Sequence, residues 1–137
     1  MIVVDTGPLV ALLDADDRHL ERCRAWLAAN TERLVVPVPV VTETCYFIER
    51  DSGPDIEADF LESFDPHGPF EMVHLQPSDW TRVTSLLRTY ADLPLGVVDA
   101  SVVAVAERLG ATQIATLDLR HFTVVRPSHI PGFELHP

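Results

Sequence analysis

Four acidic residues stand in similar positions relative to short β-like or helical segments of this chain. Asp5 directly follows the β-branched run Ile2–Val4, and Asp118 comes two residues after another such segment. Glu43 and Asp99 each lie near the start of a predicted helix. In an open α/β sheet, the carboxyl ends of the strands and the helix N-termini share one edge, where ligands bind. We therefore expect the four carboxylates to meet at one edge of a sheet.

The chemistry open to such a cluster follows from its charge. Two unit charges about 4 Å apart repel each other by roughly 4 kcal/mol at an effective dielectric constant of 20. Gathered carboxylates therefore raise one another's pKa or hold cations. Oxygen ligands suit Mg²⁺ or Mn²⁺, and the waters that remain on such an ion are nucleophiles for hydrolysis.

Asp99 has the greatest need of a partner among these acids. It stands near the start of a stretch between Gly96 and Glu107 that is almost wholly apolar, which predicts a helix buried on most sides. No Lys or Arg lies within seven residues of Asp99. A buried charge is costly unless it is paired or ligates a metal. Asp99 therefore either caps the helix and stays hydrated, or meets a cation from elsewhere in the fold.

Each acid also has a purely structural interpretation. Asp5 and Asp99 are good helix-capping residues. Asp118 suits a turn, and Glu43 would be a favourable charge in the first turn of a helix. Capping explains any one of the four simply, but an edge that carries only acids is hard to explain by capping.

Two threonines stand beside the acids. Thr6 follows Asp5, and Thr116 lies two residues before Asp118, so that in an extended chain Thr116 and Asp118 face the same way. A hydroxyl in either place can orient a carboxylate or a metal-bound water. The alternative is a β-branched residue at a strand end, which strands favour in any case.

Alternating strand and helix patterns predict the scaffold that positions these residues. The predicted strands are Ile2–Val4, Leu34–Val36, Glu71–Leu75, Gln113–Thr116 and Thr123–Val125. Two predicted helices start after Gly7 and at Pro54. Three others cover His19–Ala29, Val40–Ile48 and Ser78–Tyr90, the last with Ser78 as its cap. Gly110 terminates a sixth helix. This alternation indicates an α/β protein with a parallel sheet and helices on both of its faces.

Two of these helices carry apolar stripes. The stripe on the helix that starts at Pro54 is either a core face or a contact surface for a partner, and it consists of Ile56, Phe60, Leu61 and Phe64. A second set is expected to face inward from its helix, and it consists of Trp80, Val83, Leu86 and Leu87.

Composition limits the function classes. The chain has 137 residues and a net charge of −11, and its ten basic residues are all Arg. Its overall field therefore does not attract nucleic acid, which could be bound only locally. The absence of Lys excludes a P-loop and argues against a phosphoaspartyl or receiver site, which needs a Lys near the phosphorylated Asp. The six histidines lack zinc-hydrolase spacing, so we expect ordinary surface or core residues.

The remaining signals concern the cellular compartment. Cys23 and Cys45 have no Cys-x-x-Cys spacing, and we expect reduced thiols rather than a disulfide or a metal site. No signal peptide is visible, and no apolar run is long enough to span a bilayer. We therefore expect a cytoplasmic protein.

Four short motifs in this order and spacing resemble the PIN-domain ribonucleases, and among them the VapC toxins of bacterial toxin–antitoxin pairs. The motifs are Ile2–Gly7, Val41–Glu43, Asp92–Ser101 and Ala115–Phe122. The resemblance implies a single PIN domain over residues 1–137. It also implies a three-layer α/β/α sandwich around a mostly parallel sheet of four to five strands. The implied activity is that of an endoribonuclease that depends on Mg²⁺ or Mn²⁺.

The resemblance also assigns roles to residues. The catalytic acids and metal ligands would be Asp5, Glu43, Asp99 and Asp118. Asp92 matches a further acid near the site, as a second-tier candidate, and Thr6 and Thr116 match the small hydroxyl residues of the same motifs.

The expected partners are RNA and proteins. Arg120, two residues after Asp118, is our first choice for a contact with RNA phosphates. The resemblance implies a homodimer and a cognate VapB-type antitoxin that blocks the site. The alternative is a catalytically degenerate PIN-fold module that only binds RNA or protein, although acids at all four positions argue against degeneration.

Overall fold

A five-stranded parallel sheet forms the centre of the computed structural model, which describes residues 1–137. Its strands are β1 (Ile2–Val4), β2 (Leu34–Pro37), β3 (Phe70–Val73), β4 (Gln113–Ala115) and β5 (Glu134–His136). The order across the sheet is β3-β2-β1-β4-β5, and every neighbouring pair is parallel. Because β1 lies between β2 and β4, the carboxyl ends of these three strands are adjacent.

Seven helices connect the strands and complete the predicted three-layer α/β/α architecture. They are α1 (Thr6–Leu13), α2 (Leu20–Ala29), α3 (Val38–Asp51), α4 (Pro54–Glu62), α5 (Pro77–Thr89), α6 (Val97–Leu109) and α7 (Leu119–Val124). The predicted fold class is therefore confirmed. None of these helices combines the length and the apolar character needed to cross a membrane.

Helix α6 is the central helix of the core, as its composition predicts. Every residue from Ala100 to Ala106 is buried, and the helix packs on α5, α3 and the strands β1 and β2. Gly110 ends it in the left-handed conformation, with φ of 69°, which glycine adopts without steric cost. The three residues of β1 are also at most 2% exposed, so the chain around Asp5 and Asp99 is firmly held.

The fifth strand is not where the sequence predicts it. Thr123 and Val124 belong to α7, and the strand that pairs with β4 is β5, in the register Gln113 with Glu134. β-Branched residues favour strands, but tertiary packing overrides that weak preference here. Phe122 and Val125, three residues apart, are both buried, which suits a helical turn.

The edge strand β5 also makes a hydrogen bond to Thr116, the residue directly after β4. The Thr116 N–H donates a hydrogen bond of 2.8 Å to the carbonyl of His136. The chain after α7 is therefore part of the sheet rather than a loose tail.

Helix α5 differs from its prediction in its cap and in one aromatic residue. It begins at Pro77 with Gln76 as the N-cap, and the Gln76 N–H donates to Asp79 in a capping box. Val83 and Leu86 face the core as predicted, but Trp80 is 49% exposed, so its predicted inward position is wrong. Asp79, Val83 and Leu86 share the buried face, and Trp80 lies one residue, about 100°, away from it.

The apolar stripe on α4 is largely a core face. Phe60 is buried, and Ile56 and Phe64 pack partly buried against the core. Only Leu61 is exposed. Cys23 and Cys45 are both free thiols, as expected.

Candidate active site

The four predicted acids come together at the carboxyl edge of β1, β2 and β4. They line one open depression of about 530 Å³, although they are up to 113 residues apart in the chain. The residues that line it are Asp5, Thr6, Gly7, Val10, Asp17, Glu43, Phe47, Asp99, Leu117 and Asp118. No Arg is among them, so no guanidinium balances the acids of this depression.

Asp5 is the most deeply buried of these acids. It is 5% exposed and occupies the N-cap position of α1, but its side chain makes no capping hydrogen bond. Instead, the Thr116 hydroxyl donates to its Oδ2 at 2.8 Å. Burial raises the pKa of Asp5 from 3.8 to about 6, against the lowering by its hydrogen bonds, and the charges of Asp99 and Glu43 add to the rise. Capping does not explain this residue.

Glu43 lies in the second turn of α3, because that helix begins at Val38 rather than at the predicted Val40. It is therefore too far from the helix start for the first-turn interpretation to hold. The Thr6 hydroxyl donates to its Oε2 at 2.6 Å. Both threonines of the motifs thus hydrogen-bond to acids of the site, which is one of the two roles expected of them.

Asp99 confirms the first of its two interpretations, that of a helix cap. It is the third residue of α6, and its Oδ2 accepts the N–H of Gly96 at 3.2 Å, so it caps the helix. Burial raises its pKa, against that hydrogen bond and the nearby imidazole of His121, and the charges of Asp118 and Glu43 raise it further. Its carboxylate nevertheless faces the acidic depression.

Asp118 is the most exposed of the four, and it caps α7. Its Oδ1 accepts the N–H groups of Arg120 at 3.0 Å and His121 at 3.4 Å. Its own N–H donates to the Thr116 hydroxyl at 3.0 Å. Thr116 therefore links Asp118 to Asp5, because the same hydroxyl donates to Asp5.

Sequence reasoning misses two residues at this site. His121 contacts both Asp99 and Asp118 through Nδ1, whereas the sequence suggested an ordinary histidine. Its position three residues after the cap of α7 is a usable signal only once that helix is known. Asp17 also lines the depression, and its Oδ1 accepts the N–H of His19 just before α2.

Two second-tier candidates do not line the depression. Asp92 lies exposed in the turn between α5 and α6. Arg120 is exposed at the start of α7, beside Asp118 but outside the lining.

The donor chemistry of the site fits a hard divalent cation. Its donors are carboxylate and hydroxyl oxygens, which Mg²⁺ and Mn²⁺ prefer. No three His, Cys, Asp or Glu side chains form a ready ligand cluster in this structure. Mg²⁺ keeps several waters and uses only one or two protein carboxylates directly, so it does not need such a closed cluster.

A parallel α/β/α sandwich with acids gathered at one sheet edge defines the class of this protein. The chain belongs to the PIN domain family, whose model matches residues 2–126.

The chain is also similar to known proteins in sequence and in fold. The chain is 29% identical to Ribonuclease VapC26 of Mycobacterium tuberculosis strain ATCC 25618 / H37Rv, over 92% of this chain and 93% of that protein. Its fold is similar to that of Mycobacterium tuberculosis VapC20, described as a Sarcin-Ricin loop cleaving toxin. The TM-score is 0.77 and the identity 18%, over 83% of this chain and 87% of the other. FitAcB from Neisseria gonorrhoeae matches with a TM-score of 0.66 and 18% identity, over 90% and 91% of the two chains.

Proposed function

We propose that this protein is a Mg²⁺- or Mn²⁺-dependent endoribonuclease and the toxin of a VapBC-type toxin–antitoxin pair. The observation that carries the proposal is the depression shared by Asp5, Glu43, Asp99 and Asp118, which no Arg lines. Acids gathered without a Lys or Arg among them are a favourable place for a cation. Similarity to a protein named Ribonuclease VapC26 supports the choice of a nuclease within the family.

In this proposal Asp5, Glu43 and Asp99 hold the ion, directly or through its waters, and Asp118 is the fourth acid of the depression. When bound, the ion supplies a water of lowered pKa and offsets the charge that develops on the phosphate. The threonines fix the direction of two carboxylates, Thr116 that of Asp5 and Thr6 that of Glu43. Water attacks the phosphorus in line, the bond between phosphorus and the 3′ oxygen breaks, and the proton lost by the water ends on that oxygen, which gives a 5′-phosphate and a 3′-hydroxyl. Asp92 is outside the proposed ion site, because it does not line the depression.

RNA must be bound locally, because the protein carries a net charge of −11. Arg120 supports such a contact, since it is exposed and its backbone is fixed by Asp118 at the border of the site. We propose that its guanidinium binds a phosphate of tRNA, ribosomal RNA or messenger RNA. The second candidate function, a non-catalytic binding module, predicts RNA binding that does not depend on a metal.

The proposed partners are a VapB-type antitoxin and a second copy of this chain, in the cytoplasm. An apolar depression of about 540 Å³ shares Glu43 with the acidic one and includes the exposed Tyr46 and Trp80. An antitoxin segment that lies there would also cover the acids. Replacement of Trp80 by Glu is expected to weaken that complex without changing cleavage by the free protein.

The decisive experiment measures cleavage of total RNA by purified protein with Mn²⁺ and with EDTA. We expect cleavage only with the metal, and its loss in Asp5→Asn and Asp99→Asn. Asp59→Asn, an exposed acid on α4, is the matched control and should cleave as the wild type does. Cleavage that persists in EDTA or in both site variants contradicts the proposal.

A further inference from the structure

His121 lies between two of the acids, and the proposed function gives it no role. Its Nδ1 is 3.1 Å from Oδ2 of Asp99 and 3.1 Å from Oδ2 of Asp118, and its side chain is only 15% exposed. Nδ1 is not aligned for a regular hydrogen bond with either oxygen. Two anionic oxygens at this distance would repel a lone pair on Nδ1, so we assign the ring hydrogen to this nitrogen.

Asp99 and Asp118 differ in the carboxylate oxygens that they leave available to an ion. Asp118 has both oxygens engaged, since Oδ1 accepts two backbone N–H groups of α7 and Oδ2 faces His121. In Asp99 the contacts with Gly96 and His121 both fall on Oδ2. Its Oδ1 accepts no hydrogen bond, so it is available to an ion.

The electrostatic coupling among the acids divides them in the same way. The charges that raise the pKa of Asp5 are those of Asp99 and Glu43. The charge of Asp118 acts on Asp99, where the imidazole of His121 opposes it. The charge of Asp99 thus acts on Asp5, while Asp118, Glu43 and His121 act on Asp99.

We propose that His121 is a positioning residue, which fixes the carboxylate of Asp99 for the ion and is itself held by Asp118. This inference rests on the proposed function, since it concerns the same ion site. A nitrogen that carries a hydrogen cannot ligate, so Nδ1 acts on the ion only through Asp99. Loss of a group that orients a metal ligand typically weakens metal binding by about 10- to 100-fold.

The experiment measures Mn²⁺ binding to the full chain by isothermal titration calorimetry, without RNA. His121→Leu is expected to raise the Kd for Mn²⁺ by about 10- to 100-fold. His121→Asn keeps an N–H donor near the Nδ1 position and is expected to return the Kd to within about 3-fold of the wild type. His67→Leu, in an exposed loop, is the matched control. An unchanged or tighter Kd in His121→Leu, or no recovery in His121→Asn, overturns the proposal.

A second variant tests the contact between Asp118 and His121, and it remains informative if His121→Leu does not fold. Asp118→Asn keeps a good N-cap on α7 while it removes the charge that faces the imidazole. Its Kd for Mn²⁺ is expected to rise. The double variant, which combines Asp118→Asn with His121→Leu, should bind Mn²⁺ no more than about 3-fold more weakly than the weaker of the two single variants. If the fold increases in Kd of the two single variants multiply in the double variant, Asp118 acts as a separate ligand and the proposal is overturned. An unchanged Kd in Asp118→Asn also overturns it.

Asp99→Asn separates a failure of this inference from a failure of the proposed function. If it abolishes Mn²⁺ binding and RNA cleavage while His121→Leu binds Mn²⁺ normally, the nuclease stands and only the role of His121 is refuted. A wild-type protein that binds no Mn²⁺ overturns both.

Discussion

The ionisation of Asp5 should make the stability of the metal-free protein depend on pH. Its carboxyl is 5% exposed, and burial raises its pKa from 3.8 to about 6. A pKa raised in the folded state means that folding favours the protonated form. The contribution of this group to stability is therefore fully present below pH 3.8 and is lost as the pH rises through about 6. The shift corresponds to about 3 kcal/mol, since one pKa unit is about 1.4 kcal/mol.

Asp5→Asn removes the ionisation and keeps an oxygen that accepts the hydrogen bond of Thr116. In EDTA at about pH 8 we expect the variant to be more stable than the wild type by up to about 3 kcal/mol. For a domain of this size that raises Tm by roughly 10 °C. At about pH 4 the two proteins should differ little, because the wild-type carboxyl is then protonated.

Urea and thermal unfolding, followed by circular dichroism between about pH 4 and 8, check this prediction. Asp59→Asn changes the net charge equally at an exposed position and serves as the control. Mn²⁺ at about 100 times its Kd should stabilise the wild type by about 2.7 kcal/mol and leave Asp5→Asn unaffected. A variant that is less stable than the wild type at pH 8 in EDTA, or that keeps the wild-type pH profile, would refute the assignment of a buried, unneutralised charge to Asp5.

Three further contacts of the structure lead to changes that can be measured. Arg120→Ala should raise KM for RNA, leave the Kd for Mn²⁺ unchanged and lower the salt slope of RNA binding by about 0.7; an unchanged slope contradicts the phosphate contact. Thr6→Val should lower kcat and change Tm little, because it removes the hydrogen bond to Glu43 without opening a cavity in the core. Steady-state kinetics and a melting curve measure the two quantities. Arg108→Met should cost about 3–5 kcal/mol of folding free energy in urea titrations, because it strands the 2%-exposed Asp79 without its ion pair.

The positions of Asp5 and Asp99 are predictable because they depend on local patterns that the fold preserves. A β-branched run followed by an acid gives β1 and its end, and an apolar stretch closed by Gly110 gives α6. The rules for parallel sheets then bring the two acids to one edge. The membership of Glu43 and Asp118 in the same depression follows from the same rule.

The fifth strand and His121 are not predictable in this way, because both depend on tertiary context. Glu134–His136 has no strong strand signal and becomes a strand because β4 offers it an open edge. His121 reaches Asp99 only because Asp118 starts a helix at Leu119, where the sequence favours a turn and a strand. Helix propensity is too weak to indicate such a start.

The hydrogen bond between the Thr116 amide and the His136 carbonyl has a consequence for local opening of the sheet. A short edge strand frays more readily than the middle of a sheet. Each time β5 detaches, the Thr116 amide exchanges with solvent and the hydroxyl that steadies Asp5 is loosened. Hydrogen exchange at that one amide thus reports how often the acidic edge loses its support.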